Sequence, residues 1–378
     1  MEHQIVYGII FVGFILLVYA VWKWPDQMKS TKSPLGAKFP QGQHLVGATI
    51  ATSATNASQV GASMPRAAGG TNIINPPTAP QSGKSTPAPF DNSSAPPYPK
   101  EEKVKLPDVD PAKGWLCLKA SVKGFEKEVL QDAHAVRLQD DAAILVVADG
   151  QSRKSHSKAG ADLSVAMVAD RLAALAAAGG MTPASWEKEA RGAFMAAKDA
   201  LAEQAEAQEI ALTEFACTLI ALVATEQGVF CAHVGDGRAG YLDADAVFRP
   251  LLDPYKDKDG EANATVFLSM LTPENVDKFL RCKSVPVRSR CVIALSDGPE
   301  TVCWHTATQD KAGQGKIEDP NMPAGGFFEK IAVQLVGACE KNVSQAELDK
   351  LWEAFLTAGN PALKAEKDDK TLVLALRG

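Results

Sequence analysis

The sequence predicts an α+β fold in which two groups of strands are sandwiched by helices, set behind an apolar anchor and a long tether. Three observations predict it. Apolar runs of buried-strand length recur along residues 113–378. Helical stretches fall between and after those runs, which suits sheets covered by helices. Residues 25–112 show no sustained period of 2 or 3.6 and separate that region from one apolar stretch near the N-terminus.

The apolar stretch comes first in the chain. Residues 5–22 (IVYGIIFVGFILLVYAVW) contain no polar side chain other than tyrosine hydroxyls, and Lys23 follows directly. As a helix the run rises about 27 Å, enough to cross a bilayer core. A cleaved signal peptide is the rival reading, but it normally has a basic start and a small-residue cleavage site. Here Met1, Glu2, His3 and Gln4 precede the run, and the bulky Trp22, Lys23 and Trp24 end it. Residues 1–24 are therefore expected to be a retained single-pass transmembrane anchor. Lys23, Lys29, Lys32 and Lys38 all follow the run and no Lys or Arg precedes it. The positive-inside rule then places the C-terminal side in the cytoplasm. Gly8 and Gly13 do not make a GxxxG pair, so nothing supports helix dimerisation, and a monomer is expected.

Residues 25–112 hold 14 of the 23 prolines, with much Ser, Thr, Asn, Gly and Ala. Such a composition reads as a disordered linker whose r.m.s. span is roughly 50 Å. Residues 113–378 carry 30 basic and 38 acidic side chains, a net charge of −8. No basic stripe interleaved with aromatics appears there, so nucleic acid is not an expected partner. The seven cysteines are odd in number and show no CxxC spacing, which fits a reduced compartment and neither a disulfide framework nor a zinc site.

Within 113–378 the strands are read at 115–122, 142–148, 216–224, 228–235, 288–296 and 371–376. One helix is read at 157–178 and a second from Thr182-Pro183, where Thr caps and Pro fits the first turn. Ser344 and Glu347 make a capping box for a third, with Val343 and Leu348 as its hydrophobic staple.

Three buried-strand patterns end in Asp-Gly: ILVVADG at Asp149-Gly150, CAHVGDG at Asp236-Gly237 and VIALSDG at Asp297-Gly298. A fourth acidic pair, Asp368-Asp369, stands just before the last strand. An Asp at a strand end is held at the rim of a core, and the next Gly lets the backbone turn and its carbonyl approach a ligand. Carboxylates gathered at one rim raise each other's pKa unless a cation neutralises them. Oxygen-only ligands select Mg²⁺ or Mn²⁺ over Zn²⁺. Any one such Asp-Gly, taken alone, is usually only a turn.

The set, in its order, resembles the metal-dependent protein phosphatase 2C superfamily over essentially all of 113–378. The motifs that carry the likeness are QDAH (131–134), VVADG (146–150), FACTLIALV through HVGDGR (215–238), ALSDG (294–298) and KDDKTLVLA (367–375). ASVKG (120–124), DGQSRKSHSKAGA (149–161) and GEANATVFL (260–268) resemble the bacterial branch more closely. The resemblance implies a four-layer α-β-β-α sandwich and hydrolysis of phosphoserine or phosphothreonine in a protein substrate. It also implies two Mn²⁺ or Mg²⁺ ions with a third possible. Position by position, Asp149 would bridge both metals, the Gly150 carbonyl would ligate one, and Asp297 and Asp369 would complete the pair. Asp236 would reach the third ion and Asp132 would order water held by the metals; Asp368 would be a neighbour. The implied partner is a Ser/Thr kinase or its target, and the implied setting is a bacterial inner membrane with the catalytic domain in the cytoplasm.

The chain also departs from the pattern. Many relatives place an Arg ahead of the opening acidic motif to grip phosphate; here Lys123 and Lys127 stand nearby, with Arg153 further on. Lys grips phosphate with less geometric definition than Arg. Where some eukaryotic members have a general-acid His, this chain has Gln151, and His156 reads as a solvated loop residue. These departures leave a second reading open, a pseudophosphatase that binds partners without turnover. A third, a secreted hydrolase, requires cleavage of residues 5–22, and Asn56, Asn92 and Asn263 would then be glycosylation acceptors.

Overall fold

The computed structural model describes residues 101–255, 265–306 and 319–378. The expected anchor, and the linker up to residue 100, lie outside the described residues. In chain order the first half comprises β1 (Trp115–Val122), β2 (Ala133–Leu138), β3 (Ala143–Ala148), α1 (Ser157–Ala177), α2 (Trp186–Ala207), β4 (Leu219–Thr225) and β5 (Gly228–Val234). Then follow β6 (Arg238–Leu242), β7 (Phe248–Pro250), α3 (Val276–Phe279), β8 (Arg281–Val285), β9 (Cys291–Leu295), α4 (Glu300–Cys303), β10 (Trp304–His305) and β11 (Met322–Pro323). The chain ends with α5 (Gly325–Glu340), α6 (Gln345–Ala358), α7 (Pro361–Ala365) and β12 (Lys370–Arg377).

Two five-stranded antiparallel sheets form, ordered β1-β12-β9-β6-β7 and β2-β3-β4-β5-β8. The central strands explain why the sequence reads as continuous apolar runs. β3 and β12 are buried at every position, because each faces the other sheet on one side and helices on the other. Period-2 burial then sorts their side chains. Leu145 and Val147 of β3 meet Val292, Ala294, Val373 and Ala375 between the sheets. Ile144 and Val146 point instead to Leu172 of α1 and to Trp186 and Phe194 of α2. On the outer face of the other sheet, Ile293, Leu372 and Leu374 pack on Phe327, Phe328 and Leu335 of α5 and on Trp352 and Phe355 of α6. Three apolar layers therefore separate four layers of secondary structure, the expected α-β-β-α order.

The capping box of α6 is present: the Ser344 hydroxyl accepts from Glu347 N at 3.4 Å and Ser344 N donates to Glu347 Oε2 at 3.1 Å. The second helix starts four residues later than expected, at Trp186. Thr182 and Ser185 occupy each other instead, Ser185 N donating to Thr182 Oγ1 and Thr182 N to Ser185 Oγ, both at 3.1 Å.

The linker boundary at residue 112 needs correction. Val104, Leu106 and Val109 are buried in the core beneath α5 and α6. Lys103 bridges Val247, Arg249 pairs with Glu101, and Gly326 N donates to Glu102 Oε2 at 3.1 Å. The apolar residues of 101–112 alternate with charge and proline, too sparsely for a period to register in the sequence.

Candidate functional site

Strand pairing brings the acidic turns together. Ala133 pairs with Ala148, so Asp132 just before β2 and Asp149 just after β3 share one end of their sheet. Leu295 pairs with both Arg238 and Leu372, which sets Asp236, Asp297 and Asp368 at one end of the other sheet. The charges then act across the two sheets. Burial, and next Asp132, Asp297, Asp368 and Asp236, push the Asp149 carboxyl far above the usual range. Burial, followed by Asp236, Asp368, Asp132 and Glu300, pushes Asp297 up to about 8. Burial leads again at Asp132, raised to about 6, with Asp369 adding and the Ser296 hydroxyl subtracting.

Each carboxylate is held by its surroundings. Asp149 is fixed through its backbone, with its N–H on Thr218 Oγ1 at 3.0 Å and its carbonyl accepting from Thr218 N at 2.8 Å. Gly150 forms a bridge with Cys217 alongside. Asp236 Oδ2 accepts from the Thr265 hydroxyl at 2.9 Å. Asp132 is 1% exposed; its Oδ2 accepts from Ser296 Oγ at 2.7 Å, and its Oδ1 has no partner. Asp297 Oδ1 is likewise buried and unpartnered. At Gly298 an added Cβ would lie 2.1 Å from the Asp369 carbonyl, so only glycine lets the Asp297 turn approach β12 this closely.

The two members of the last acidic pair sit in different surroundings. Asp369 is 1% exposed and takes Gly124 N on Oδ1 at 2.9 Å and Gln131 N on Oδ2 at 2.7 Å, with Lys127 Nζ 3.2 Å away. Those bonds staple the ends of the 124–131 loop and occupy both oxygens of the carboxylate. Asp368, two-fifths exposed in its side chain, is the member whose charge acts on both Asp149 and Asp297. The expected phosphate grips also change. Lys127 is ion-paired with Asp368 and Asp369, Lys123 Nζ donates to the Glu128 carbonyl at 3.3 Å, and Arg153 is exposed with no ion pair among the described residues. His156 lies against Phe215, its Nδ1 2.8 Å from the Ser155 hydroxyl, as a structural loop residue.

Among the described residues, no three His, Cys, Asp or Glu side chains close to the spacing of a single bound ion. Like charges stand apart in this way, and the two bare oxygens of Asp132 and Asp297 keep the donor set of a hard cation. Thr218, Ser296, Thr265 and Arg238 had no assigned part in the site. Arg238 was legible as a charge opening an otherwise apolar strand; the three hydroxyls carried no such signal.

The chain is similar to several known proteins. A curated relative, serine/threonine-protein phosphatase 3 of Escherichia coli (strain K12), is 29% identical over 175 residues, 46% of this chain and 60% of that protein. The chain thus spans less than two thirds of the length of the relative it matches. PppA, described as a key regulatory component of T6SS in Pseudomonas aeruginosa, superposes with a TM-score of 0.43 at 14% identity over 70% of this chain and 98% of its own. The catalytic domain of the phosphatase PstP, solved with two manganese ions, gives 0.42 at 14% over 69% and 98%. The family model described as protein phosphatase 2C matches residues 126–351, more than half of the 378 residues, and the chain belongs to that family.

Proposed function

We propose that the chain is a metal-dependent serine/threonine protein phosphatase, held at a membrane by residues 5–22 and acting on phosphorylated proteins in the cytoplasm. The observation that carries the catalytic reading is the pair of buried, unpartnered oxygens, Asp132 Oδ1 and Asp297 Oδ1, among carboxylates whose proton affinities are raised. A group of this kind takes up either protons or hard cations, and at neutral pH Mn²⁺ or Mg²⁺ suits an all-oxygen set. Asp149, the Gly150 carbonyl, Asp297 and Asp368 would hold two ions, and Asp236 a third. Bound there, the ions polarise phosphoryl oxygens and lower the pKa of water.

The chain's own groups do the rest. Asp132, pinned through Oδ2 by Ser296, presents Oδ1 to take a proton near neutral pH. Lys127 stands between Asp368 and Asp369, its ammonium engaged by both carboxylates at the edge of the site. The anchor rests on the 18 residues 5–22 and the lysines after them; among the described residues no helix is long and apolar enough to cross a membrane. A bacterial inner membrane, a partner kinase or its target as substrate, and a monomeric state complete the reading.

Lys127 favours the second reading, a scaffold without turnover, because its ammonium is spent on carboxylates. Hydrolysis of p-nitrophenyl phosphate and of a phosphothreonine peptide by the full chain, with and without Mn²⁺, separates the two. Mn²⁺-dependent turnover supports the phosphatase; Mn²⁺ binding in calorimetry with no turnover supports the scaffold; no binding at millimolar Mn²⁺ removes the metal centre itself.

A further inference from the structure

Arg238 is the most heavily engaged charged side chain beside the acidic turns, and it does not face a phosphate. Its side chain is 4% exposed. Nε donates to Glu300 Oε1 at 2.8 Å and Nη2 to Glu300 Oε2 at 3.0 Å, a bidentate pair. Nη2 also meets Asp319 Oδ2 at 2.9 Å, and Nη1 donates to Asn321 Oδ1 at 2.8 Å. Asn321 in turn donates to the Leu252 carbonyl at 2.8 Å and accepts from Trp304 Nε1 at 3.0 Å.

The connectivity of this network is what matters. Arg238 pairs through its backbone with Leu295, the last residue of β9. Its side chain grips Glu300, the first residue of α4. The chain between those two attachments is Ser296, Asp297, Gly298 and Pro299, so the Asp297 turn is a loop tied at both ends to one residue. Inside it Glu300 N donates to the Asp297 carbonyl at 3.0 Å. Asp236 lies two residues before Arg238, across Gly237, whose φ is +88° and whose added Cβ would lie 2.7 Å from the Leu295 carbonyl. One residue therefore holds both turns against the end of the same strand, the Asp236 turn through its backbone pairing with Leu295 and the Asp297 turn through its side-chain grip on Glu300.

Charge adds a second effect. Arg238 neutralises Glu300 in place, which keeps one more negative charge from spreading the acidic turns.

We propose that Arg238, acting through Glu300, is a positioning residue that sets the separation of the Asp236 and Asp297 carboxylates, and with it their affinity for a divalent cation. This rests on the metal-centre reading above. Groups that orient metal ligands from behind are worth about 10- to 100-fold in metal affinity. The test is calorimetric Mn²⁺ binding by the full chain, with kcat and KM for p-nitrophenyl phosphate measured beside it. Arg238→Met is expected to weaken Mn²⁺ binding about 10- to 100-fold and to lower kcat at fixed Mn²⁺, leaving KM within a few-fold. Arg238→Lys, which keeps the charge without the bidentate fork, is expected to recover part of the affinity. Glu300→Gln keeps the shape and is the gentler variant, expected to weaken Mn²⁺ binding in the same direction even if Arg238→Met does not fold. Folded variants that bind Mn²⁺ as the wild type does overturn the proposal, whatever their melting temperatures. A wild type that binds no Mn²⁺ overturns the metal reading, and the proposal falls with it.

Discussion

Asp149 and Thr218 hold each other by two backbone-directed bonds, Asp149 N to the Thr218 hydroxyl at 3.0 Å and Thr218 N to the Asp149 carbonyl at 2.8 Å. The second survives any side-chain change; the first does not. Thr218→Val leaves the Asp149 amide without its acceptor at nearly constant volume. It is expected to cost about 1 kcal/mol in urea unfolding and to lower Mn²⁺-dependent turnover about tenfold or more. Thr218→Ser, which restores the hydroxyl, should return most of both.

The two adjacent aspartates before β12 should separate cleanly. Asp368→Asn removes a charge from the cation side and is expected to weaken Mn²⁺ binding and turnover by about 10² or more, with the fold kept. Asp369→Ala removes the acceptor for Gly124 N and Gln131 N and should instead destabilise the chain by about 1–3 kcal/mol. Chemical denaturation and calorimetry on the pair check this. Equal effects of both changes on metal affinity would restore the opposite assignment.

Protonation gives the site a signature without metal. The folded pKa values of Asp132 and Asp297, about 6 and about 8, lie above those of an unfolded chain. From about pH 4 to pH 8 the folded state therefore binds more protons than the unfolded one, and stability falls as pH rises. The melting temperature in a chelator should drop across that window, and saturating Mn²⁺ should flatten the drop. Asp297→Asn, which removes one of the repelling carboxylates, should raise the metal-free melting temperature at pH 8 while abolishing most turnover.

The start of the folded unit offers a fourth check. A chain beginning at Lys105 loses Val104 from the core, the Glu101–Arg249 pair and the Glu102 bond to Gly326 N. It is expected to be about 2 kcal/mol less stable than one beginning at Lys100, as measured by urea unfolding of the two. Full stability of the shorter chain would return the linker boundary to residue 112.

Much of this was legible because buried antiparallel strands leave a strong mark. β1 matches its sequence reading, and β3, β5 and β9 lie inside theirs, since each is an apolar run closed by Asp-Gly or by charge. β8 (RCKSV) was not legible: it is an edge strand with no fully buried position, and its composition resembles a loop. α5 escaped for another reason. It opens on Gly325-Gly326 with no side-chain cap to mark its start, although Phe327, Phe328, Ile331, Ala332, Leu335 and Val336 repeat at helical spacing on its buried face. At the site, Asp149, Asp236 and Asp297 were legible as ends of runs, and Asp132 only through the motif order of the family it resembles. The choice between Asp368 and Asp369 was not, since it depends on Gly124 and Gln131, more than two hundred residues away.

That separation in sequence also governs how the protein folds. Asp132 meets Ser296 at a sequence separation of 164, and Gln131 meets Asp369 at one of 238. The β2–β3 hairpin gathers only Asp132 and Asp149, and the other acidic turns join them from the second half of the chain. The last strand, β12, lies in the middle of its sheet, between β1 and β9. The sheet cannot close until β12 has been made, and such long-range pairing is slow. A chain without β12 would leave β1 and β9 with no common partner, and neither that sheet nor the meeting of the acidic turns would form.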